Sequence, residues 1–142
     1  MRIADIMSRD VTVAPPECTL REAAQTMARI DAGSLPVCDG KRLLGMVTDR
    51  DIVVRGLAKD CGPDSTVTQV MSEGVEYCFE DDDLIEVGDK MAASQIRRLP
   101  VLDRDHNLIG IVSLGDLARE TRPAQSGDVL EEVSQPGGSH AN

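Results

Sequence analysis

The sequence is almost free of aromatic residues: Tyr77 and Phe79 are the only two among 142 residues, and tryptophan is absent. Proteins that hold single-stranded nucleic acid stack its bases on aromatic side chains, and nucleic-acid binders in general neutralise phosphates with Lys and Arg. The chain has 15 basic against 25 acidic residues, a formal charge of −10. We therefore expect no nucleic-acid partner and no attraction to an anionic membrane surface.

Long apolar runs are absent as well. No stretch approaches the 18 residues that a membrane-spanning helix needs, and the opening Met1–Asp5 carries an acidic residue instead of an apolar signal core. The sequence therefore predicts a soluble, cytoplasmic protein with no membrane partner.

Close-spaced metal ligands are also lacking. The four cysteines are 17 to 23 residues apart without a CxxC pair, and neither histidine lies near a cysteine pattern. Zinc sites normally show paired ligands at short spacing, so we expect reduced, mostly structural thiols and no metal. The segment Asp103–Asn107 begins like an EF-hand loop, but Leu108 stands where that loop requires glycine, which excludes calcium.

Catalytic motifs are missing from the chain. There is no GxSxG, no P-loop and no HExxH sequence. His106 falls in a predicted hairpin turn and His140 in a polar C-terminal segment, so neither is positioned as a general base. The sequence predicts a protein that is not an enzyme.

What the chain does contain is an internal repeat at a shift of 64 residues, with one inserted residue in the second copy. A duplicated subdomain explains this period better than a solenoid, whose repeats are shorter. The matching segments are Ile6–Ser8 with Val70–Ser72, Leu35–Asp39 with Leu99–Asp103, and Leu43–Thr48 with Leu108–Ser113.

Each copy predicts the element order β-α-β-β-α. The helices begin with capping boxes, Thr19 with Glu22 and Asp83 with Glu86, followed by apolar stripes at helical spacing. The stripes are Leu20, Ala23, Ala24 and Met27 in the first copy, and Leu84, Val87, Gly88 and Met91 in the second. The predicted strands are Val11–Ala14, Leu35–Cys38 and Leu43–Val47, then Val75–Phe79, Leu99–Leu102 and Leu108–Val112.

A copy of about 50 residues buries too little apolar surface to be comfortable alone. We therefore predict an α+β fold of two pseudo-twofold-related repeats packed sheet to sheet as one module. The first repeat with the start of the linker covers residues 1–62, and the second covers residues 63–121. Residues 122–142 have the composition of a flexible tail.

The strongest candidate site is a hydroxyl residue at the end of a strand with an aspartate three residues later. Thr48 and Asp51 form this pair in the first copy, and Ser113 and Asp116 form it in the second. Free N–H groups at the following helix start suit a phosphate, and the aspartate can accept both hydrogens of a ribose diol. The alternative is a plain capping box that only stabilises the helix.

Three arginines are candidate anion ligands in this acidic chain. Arg97 and Arg98 enter a predicted strand and point to opposite faces, so one of them can reach a cleft between sheets. Arg50 lies inside the first hydroxyl–aspartate segment. The alternative is ordinary salt bridging to the many surface carboxylates.

The duplicated order, the segments Gly33–Val37 and Arg97–Val101, and the endings Gly45–Asp51 and Gly110–Asp116 together resemble a tandem pair of cystathionine-β-synthase (CBS) domains, called a Bateman module. The resemblance covers residues 3–121. The run Leu44–Ala58, with no attached catalytic domain, is similar to the stand-alone bacterial hypoxic-response type, which implies a role in stress response.

The resemblance implies binding of an adenosyl ligand (AMP, ADP, ATP, NAD or S-adenosylmethionine) in clefts between the repeats, as an effector and not as an obligatory cofactor. Asp51 and Asp116 would take the ribose hydroxyls, and Thr48 and Ser113 would lie near the phosphate. Backbone and apolar side chains around Ala14 and Cys78 would flank the adenine, and the candidate phosphate partners are Arg50, Arg97 and Arg98.

The resemblance also implies a disc-like homodimer, and two functions stay open. One is a regulatory module that signals a bound ligand to a downstream protein by a change of conformation. The other is a ligand-free homodimeric interaction or scaffold protein. The copies differ at Gly33–Ser34 against Arg97–Arg98, so the two sites need not be equivalent.

Overall fold

The computed structural model describes residues 1–120, and the predicted tail lies outside the described residues. The α+β class is confirmed. The helices are α1 (Leu20–Ile30), a π-helix (Asp51–Gly56), α2 (Leu84–Ser94) and α3 (Leu114–Glu120), with short 3-10 turns at Ile3–Asp5, Leu57–Lys59 and Val67–Gln69. The strands are β1 (Ser34–Asp39), β2 (Arg42–Thr48), β3 (Cys78–Phe79), β4 (Arg98–Leu102) and β5 (Leu108–Ser113).

The chain forms two compact units that differ from the contiguous repeats. Among the described residues, the central unit is Thr12–Val75, and the composite unit joins Met1–Val11 to residues 76–120. The N-terminal segment of the first repeat thus belongs to the same unit as the second repeat. The sequence boundaries at residues 62 and 121 remain a prediction.

The two units have the same strand order. In the central unit β1 pairs with β2 antiparallel, and Ala14 bridges Val37 in parallel. In the composite unit β3 runs parallel to β4, which is antiparallel to β5. The predicted first strand of each copy is much shorter than expected. In the first copy only Ala14 of the predicted strand Val11–Ala14 is paired, and Pro15 and Pro16 lack the N–H groups that could extend the ladder beyond it.

The helix starts follow the predicted capping chemistry, with one difference. At α1 the box is complete, since Thr19 Oγ1 accepts from Glu22 N–H at 3.1 Å and Glu22 Oε1 accepts from Thr19 N–H at 3.0 Å. At α2, Asp83 accepts from the N–H groups of Ile85 and Glu86, but Glu86 makes no return bond, so that box is only half formed. The expected stripe of α1 also loses Ala24, which is exposed.

Each unit has its own apolar core, completed by a segment from the neighbouring repeat in sequence. Ile3 and Met7 are buried in the core of the composite unit with α2, β4 and β5. Val67 and Val70 are buried in the core of the central unit with α1 and β1. These anchors explain why the N-terminal segment and the linker are bound where they are, because burying a large aliphatic side chain contributes about 1.5–3 kcal/mol.

The linker and the N-terminal segment each form hydrogen bonds with a strand next to a glycine of that strand. Ser72 exchanges backbone hydrogen bonds with Met46 at 2.9 and 3.0 Å, and Ser8 does so with Ile111 at 2.8 and 2.9 Å. A Cβ at Gly45 would lie 2.5 Å from the carbonyl oxygen of Ser72, and a Cβ at Gly110 would lie 2.9 Å from that of Ser8. Each motif glycine therefore permits a close backbone approach.

Within residues 1–120, no helix combines the length and apolar character that crossing a membrane requires.

Candidate functional site

The hydroxyl–aspartate pair of the central unit is folded onto its own backbone. Asp51 Oδ2 accepts from Thr48 N–H at 2.9 Å, and Thr48 Oγ1 accepts from Asp51 N–H at 3.0 Å. The segment follows β2 directly, and Asp49 N–H is bonded to the carbonyl oxygen of Gly33 at 2.9 Å. This is the capping box that the sequence left open as the alternative to a binding site.

The composite unit repeats this geometry. Asp116 Oδ2 accepts from Ser113 N–H at 3.0 Å, and Ser113 Oγ accepts from Asp116 N–H at 3.1 Å. The box follows β5, at the point where Leu114 N–H is bonded to the carbonyl oxygen of Arg97 at 2.8 Å. The two candidate aspartates therefore occupy matching positions in the two units.

The second carboxylate oxygen of each aspartate faces an arginine that the sequence analysis did not select. Asp51 Oδ1 lies 3.9 Å from Arg55 Nη1, and the same guanidinium donates to Ser72 Oγ at 3.2 Å. Asp116 Oδ1 is held more closely by Arg119. The signal for both was present, since three- and four-residue spacings place side chains on one helix face.

Both ion pairs are exposed on the arginine side. The Arg55 and Arg119 side chains are 50% and 72% exposed, against 15% and 21% for their aspartates. Exposed pairs of this kind contribute about 0–1 kcal/mol, so a competing hydrogen-bond donor can displace them at small cost.

The three candidate arginines lie near the two hydroxyl–aspartate boxes, and their role as anion ligands stays a prediction. Arg98 lies opposite Ser113 in the β4–β5 pairing, which puts Arg97 and Arg98 beside the Asp116 box. Arg97 and Arg50 are exposed, and Arg98 is partly buried. Arg50 follows Asp49, whose carboxylate accepts from the Arg50 N–H at 2.8 Å.

Ala14 and Cys78 are further from these boxes. Both side chains are 2% exposed and belong to the apolar cores of their own units. What they can offer a ligand is therefore backbone, and their place beside an adenine remains a prediction.

The helix after Thr48 differs in type from its counterpart. Asp51–Gly56 is a π-helix, whereas Leu114–Glu120 is an α-helix. The sequence predicts an ordinary helix at both places. Gly56 is buried, and a Cβ there would lie 3.1 Å from Leu20 Cδ1, so the wide turn brings the backbone against α1.

The thiols of Cys18, Cys38 and Cys78 are not activated. Burial raises the pKa of Cys38 to about 11 and that of Cys78 to about 12. Burial, followed by the charges of Glu22 and Glu17, also raises the pKa of Cys18. Thiols of this kind are poor nucleophiles because the reactive thiolate is rare at neutral pH.

Within residues 1–120, no three His, Cys, Asp or Glu side chains are grouped so that they could hold a metal ion.

Comparison with known proteins agrees with this architecture. The family model of the CBS domain matches residues 3–57 and 67–122. Hypoxic response protein 1 of Mycobacterium tuberculosis is 41% identical over 117 residues, which are 81% of this chain and 81% of the relative.

Two solved structures are similar along most of their length. The crystal structure of Hypoxic Response Protein I with two coordinated zinc ions has a TM-score of 0.77 at 39% identity, covering 86% of this chain and 100% of that one. The CBS domain pair of protein MJ0100, in complex with 5′-methylthioadenosine and S-adenosyl-L-methionine, has a TM-score of 0.72 at 28% identity, covering 84% and 94%. With both repeats matched, this chain belongs to the CBS-domain family.

Proposed function

We propose that the chain is a cytoplasmic, non-catalytic regulatory module that binds an adenosine-containing ligand and passes the bound state to a partner protein. The observation that carries the proposal is the hydroxyl–aspartate pair, formed in both units with one carboxylate oxygen left outside the capping box. Support comes from MJ0100, a family member that was crystallised with two adenosyl compounds.

In this proposal the second carboxylate oxygen of each aspartate, Oδ1, accepts the ribose hydroxyls. Asp51 Oδ1 is the less tightly held acceptor, because its 3.9 Å contact with Arg55 is long for an ion pair. Asp116 Oδ1 must first be released by Arg119, whose guanidinium then becomes available to a ligand phosphate or carboxylate. Arg50, Arg97 and Arg98 are further candidates for that role.

A ligand can regulate only if it binds two arrangements of the protein with different affinity. We propose that adenosyl binding favours one arrangement of the module and that the partner binds that arrangement. Similarity to Hypoxic response protein 1 supports stress as the setting in which this signal is used.

The proposal is tested by following thermal unfolding with S-adenosylmethionine, 5′-methylthioadenosine, AMP, ADP, ATP and NAD. A ligand at 100 times its Kd stabilises the folded protein by about 2.7 kcal/mol. Asp51→Asn and Asp116→Asn keep an acceptor for the capping bond but remove the charge, so we expect each to weaken binding at its own site by about tenfold or more.

Asp49→Asn is the matched control. It removes the same charge two residues from Asp51, outside the box, and we expect ligand binding like that of the unaltered protein. If no adenosyl compound shifts the unfolding midpoint, or if the Asp51 and Asp116 variants bind as tightly as the Asp49 variant, the proposal is wrong.

The second candidate function, a ligand-free homodimeric interaction protein, is favoured by one specific observation. Val53, Val54 and Leu57 follow Asp51 along one helical segment and are 56%, 42% and 61% exposed. Aliphatic side chains grouped in this way are typical of surfaces that bind another protein. A second copy of the chain is the partner that this candidate function requires.

A further inference from the structure

The central unit contains an open cavity of about 360 Å³ that is separate from the hydroxyl–aspartate box of that unit. It lies between the extended segment Val13–Pro15 and the first half of α1, where Glu22 and Thr26 face it. Glu17 and Cys18 complete the lining. Its volume is at the lower end of the range for small-molecule sites.

The distance from this cavity to Thr48 follows from the sheet. Ala14 pairs with Val37, which is three residues along β1 from Ser34, the partner of Thr48. With about 3.3 Å per residue and about 4.8 Å between strands, the Cα atoms of Ala14 and Thr48 are roughly 14 Å apart. The cavity is therefore a different site from the Thr48–Asp51 box.

The duplication provides a direct comparison, because the residue 64 positions later occupies the equivalent place in the composite unit. Val13 and Pro15 correspond to Tyr77 and Phe79. These two rings contact each other edge to face at 5.5 Å, and both also contact the ring of His106. The composite unit thus has packed aromatic rings at the two positions where the central unit has the smaller Val13 and Pro15.

The composite unit also has basic residues at this place, where the central unit has none. Thr26 corresponds to Lys90, whose ammonium donates to the carbonyl oxygen of Tyr77 at 2.6 Å and lies 5.9 Å from the Tyr77 ring centre. Glu17 corresponds to Asp81, which forms a two-point ion pair with Arg104. The composite unit therefore supplies two cations to this place from its own sequence.

The central unit supplies none. Across residues 1–120, no lysine or arginine forms an ion pair with Glu17 or Glu22. Burial, followed by the charges of Glu22 and Glu17, raises the pKa of Cys18, so both carboxylates lie close enough to act on this lining residue. The walls, by contrast, are the small apolar side chains of Val13, Ala14 and Pro15.

We propose that this cavity binds a small organic cation, in which an ammonium or guanidinium group is attached to an apolar or aromatic body. The apolar body takes the place that Tyr77 and Phe79 fill in the composite unit. The cationic group pairs with Glu17, as Arg104 pairs with Asp81 in the other unit, and with the Glu22 oxygen that the capping box does not use. Because the carboxylates are exposed, the affinity of a simple probe is on the order of millimolar.

Tyramine is a suitable probe, since it joins a phenol ring to a primary ammonium, and tyrosol is its neutral counterpart with a hydroxyl in place of the amine. Titration of the full chain with tyramine, followed by amide NMR, is expected to shift the resonances of Glu17, Cys18 and Thr26 to saturation. Tyrosol at equal concentration is expected to bind about tenfold more weakly.

Thr26→Lys places an ammonium in the cavity, as in the other unit, and is expected to reduce tyramine binding by about tenfold. Ala28→Lys is the matched control, because it adds the same charge to an exposed position of α1 that does not line the cavity. Equal binding of tyramine and tyrosol, equal binding by the two lysine variants, or the absence of saturable shifts at these residues would each overturn the proposal.

Discussion

Replacing Gly45 by alanine tests the close approach of the linker to β2. The new Cβ would lie 2.5 Å from the carbonyl oxygen of Ser72 and 3.1 Å from Met71 Sδ. A backbone oxygen cannot rotate away as a side chain can, so the linker must move. That movement strains or breaks the two hydrogen bonds between Ser72 and Met46, each of which contributes about 1 kcal/mol.

Overpacking a folded chain in this way costs about 1–3 kcal/mol. We therefore expect Gly45→Ala to lower the free energy of unfolding by about 2–3 kcal/mol. With a urea dependence of about 2 kcal/mol per molar, the midpoint of urea unfolding falls by about 1 M. The assay is urea unfolding followed by circular dichroism.

Two other glycines make the measurement decisive. A Cβ at Gly62 meets nothing within 4 Å, and Gly62 lies outside the left-handed region, so Gly62→Ala is expected to leave the midpoint unchanged or to raise it. Gly110→Ala is expected to fall between the two, because the carbonyl oxygen of Ser8 would lie 2.9 Å from its Cβ, farther than the 2.5 Å at Gly45, and the Met7 side chain at 2.7 Å can move. The reasoning is refuted if Gly45→Ala unfolds at the midpoint of the unaltered protein, or if Gly62→Ala is destabilised equally.

Three further predictions follow from single contacts. At pH 8 iodoacetamide is expected to label the partly buried Cys61 before the buried Cys78. The raised pKa of Cys78, about 12, leaves almost none of its thiol as the reactive thiolate. Equal labelling rates of Cys61 and Cys78 in the folded protein would contradict this. Hydrogen bonds from Thr19 lower the pKa of Glu22 below its usual 4.5, so their stabilisation is present above pH 4.5 and is lost as the pH falls. Glu22→Gln is thus expected to lower the urea midpoint at pH 7 by an amount that shrinks below pH 4.5, and a constant difference would show that the charge plays no part. Leu57→Glu is expected to shift any dimer towards monomer in sedimentation equilibrium, and an unchanged mass would remove this surface from the interface.

The elements themselves were largely predictable, because the sequence could be compared with itself. The strand predicted at Leu35–Cys38 is β1, Ser34–Asp39, and the strand predicted at Leu99–Leu102 is β4, Arg98–Leu102. Turn residues bound the apolar runs at matching positions in the two copies. The strand prediction for each copy therefore supports the prediction for the other.

The exchange of segments between the repeats could not be predicted from apolar pattern alone. Ile3 and Met7 would have the same sequence spacing in whichever core they were buried, because the hydrophobic effect does not specify a partner. One signal was nevertheless present. A glycine inside a strand often marks close approach of another backbone, and Gly45 and Gly110 both mark such a crossing.

The candidate site was predictable in its residues but not in its bonding. The spacing of Thr48 and Asp51 fits a capping box and a ligand site equally well, and the structure forms the box. Both units form the box, so the pair stabilises the helix start in each of them. Only the second carboxylate oxygen of each aspartate can distinguish a ligand site from a helix cap. That oxygen contacts an arginine, and sequence periodicity does not determine where the arginine side chain lies.

Differences between the duplicated halves are more informative about function than their identities. The two units share their strand order and an N-cap acceptor, and α1 and α2 have the same length of 11 residues. An interaction that the fold required would therefore be expected in both. The cations at Lys90 and Arg104 have no counterpart in the central unit, yet that unit keeps the carboxylates Glu17 and Glu22 around an open cavity. Glu22 also closes the capping box of α1, whereas no ion pair within residues 1–120 involves Glu17, so the Glu17 carboxylate is better explained by something that binds to it.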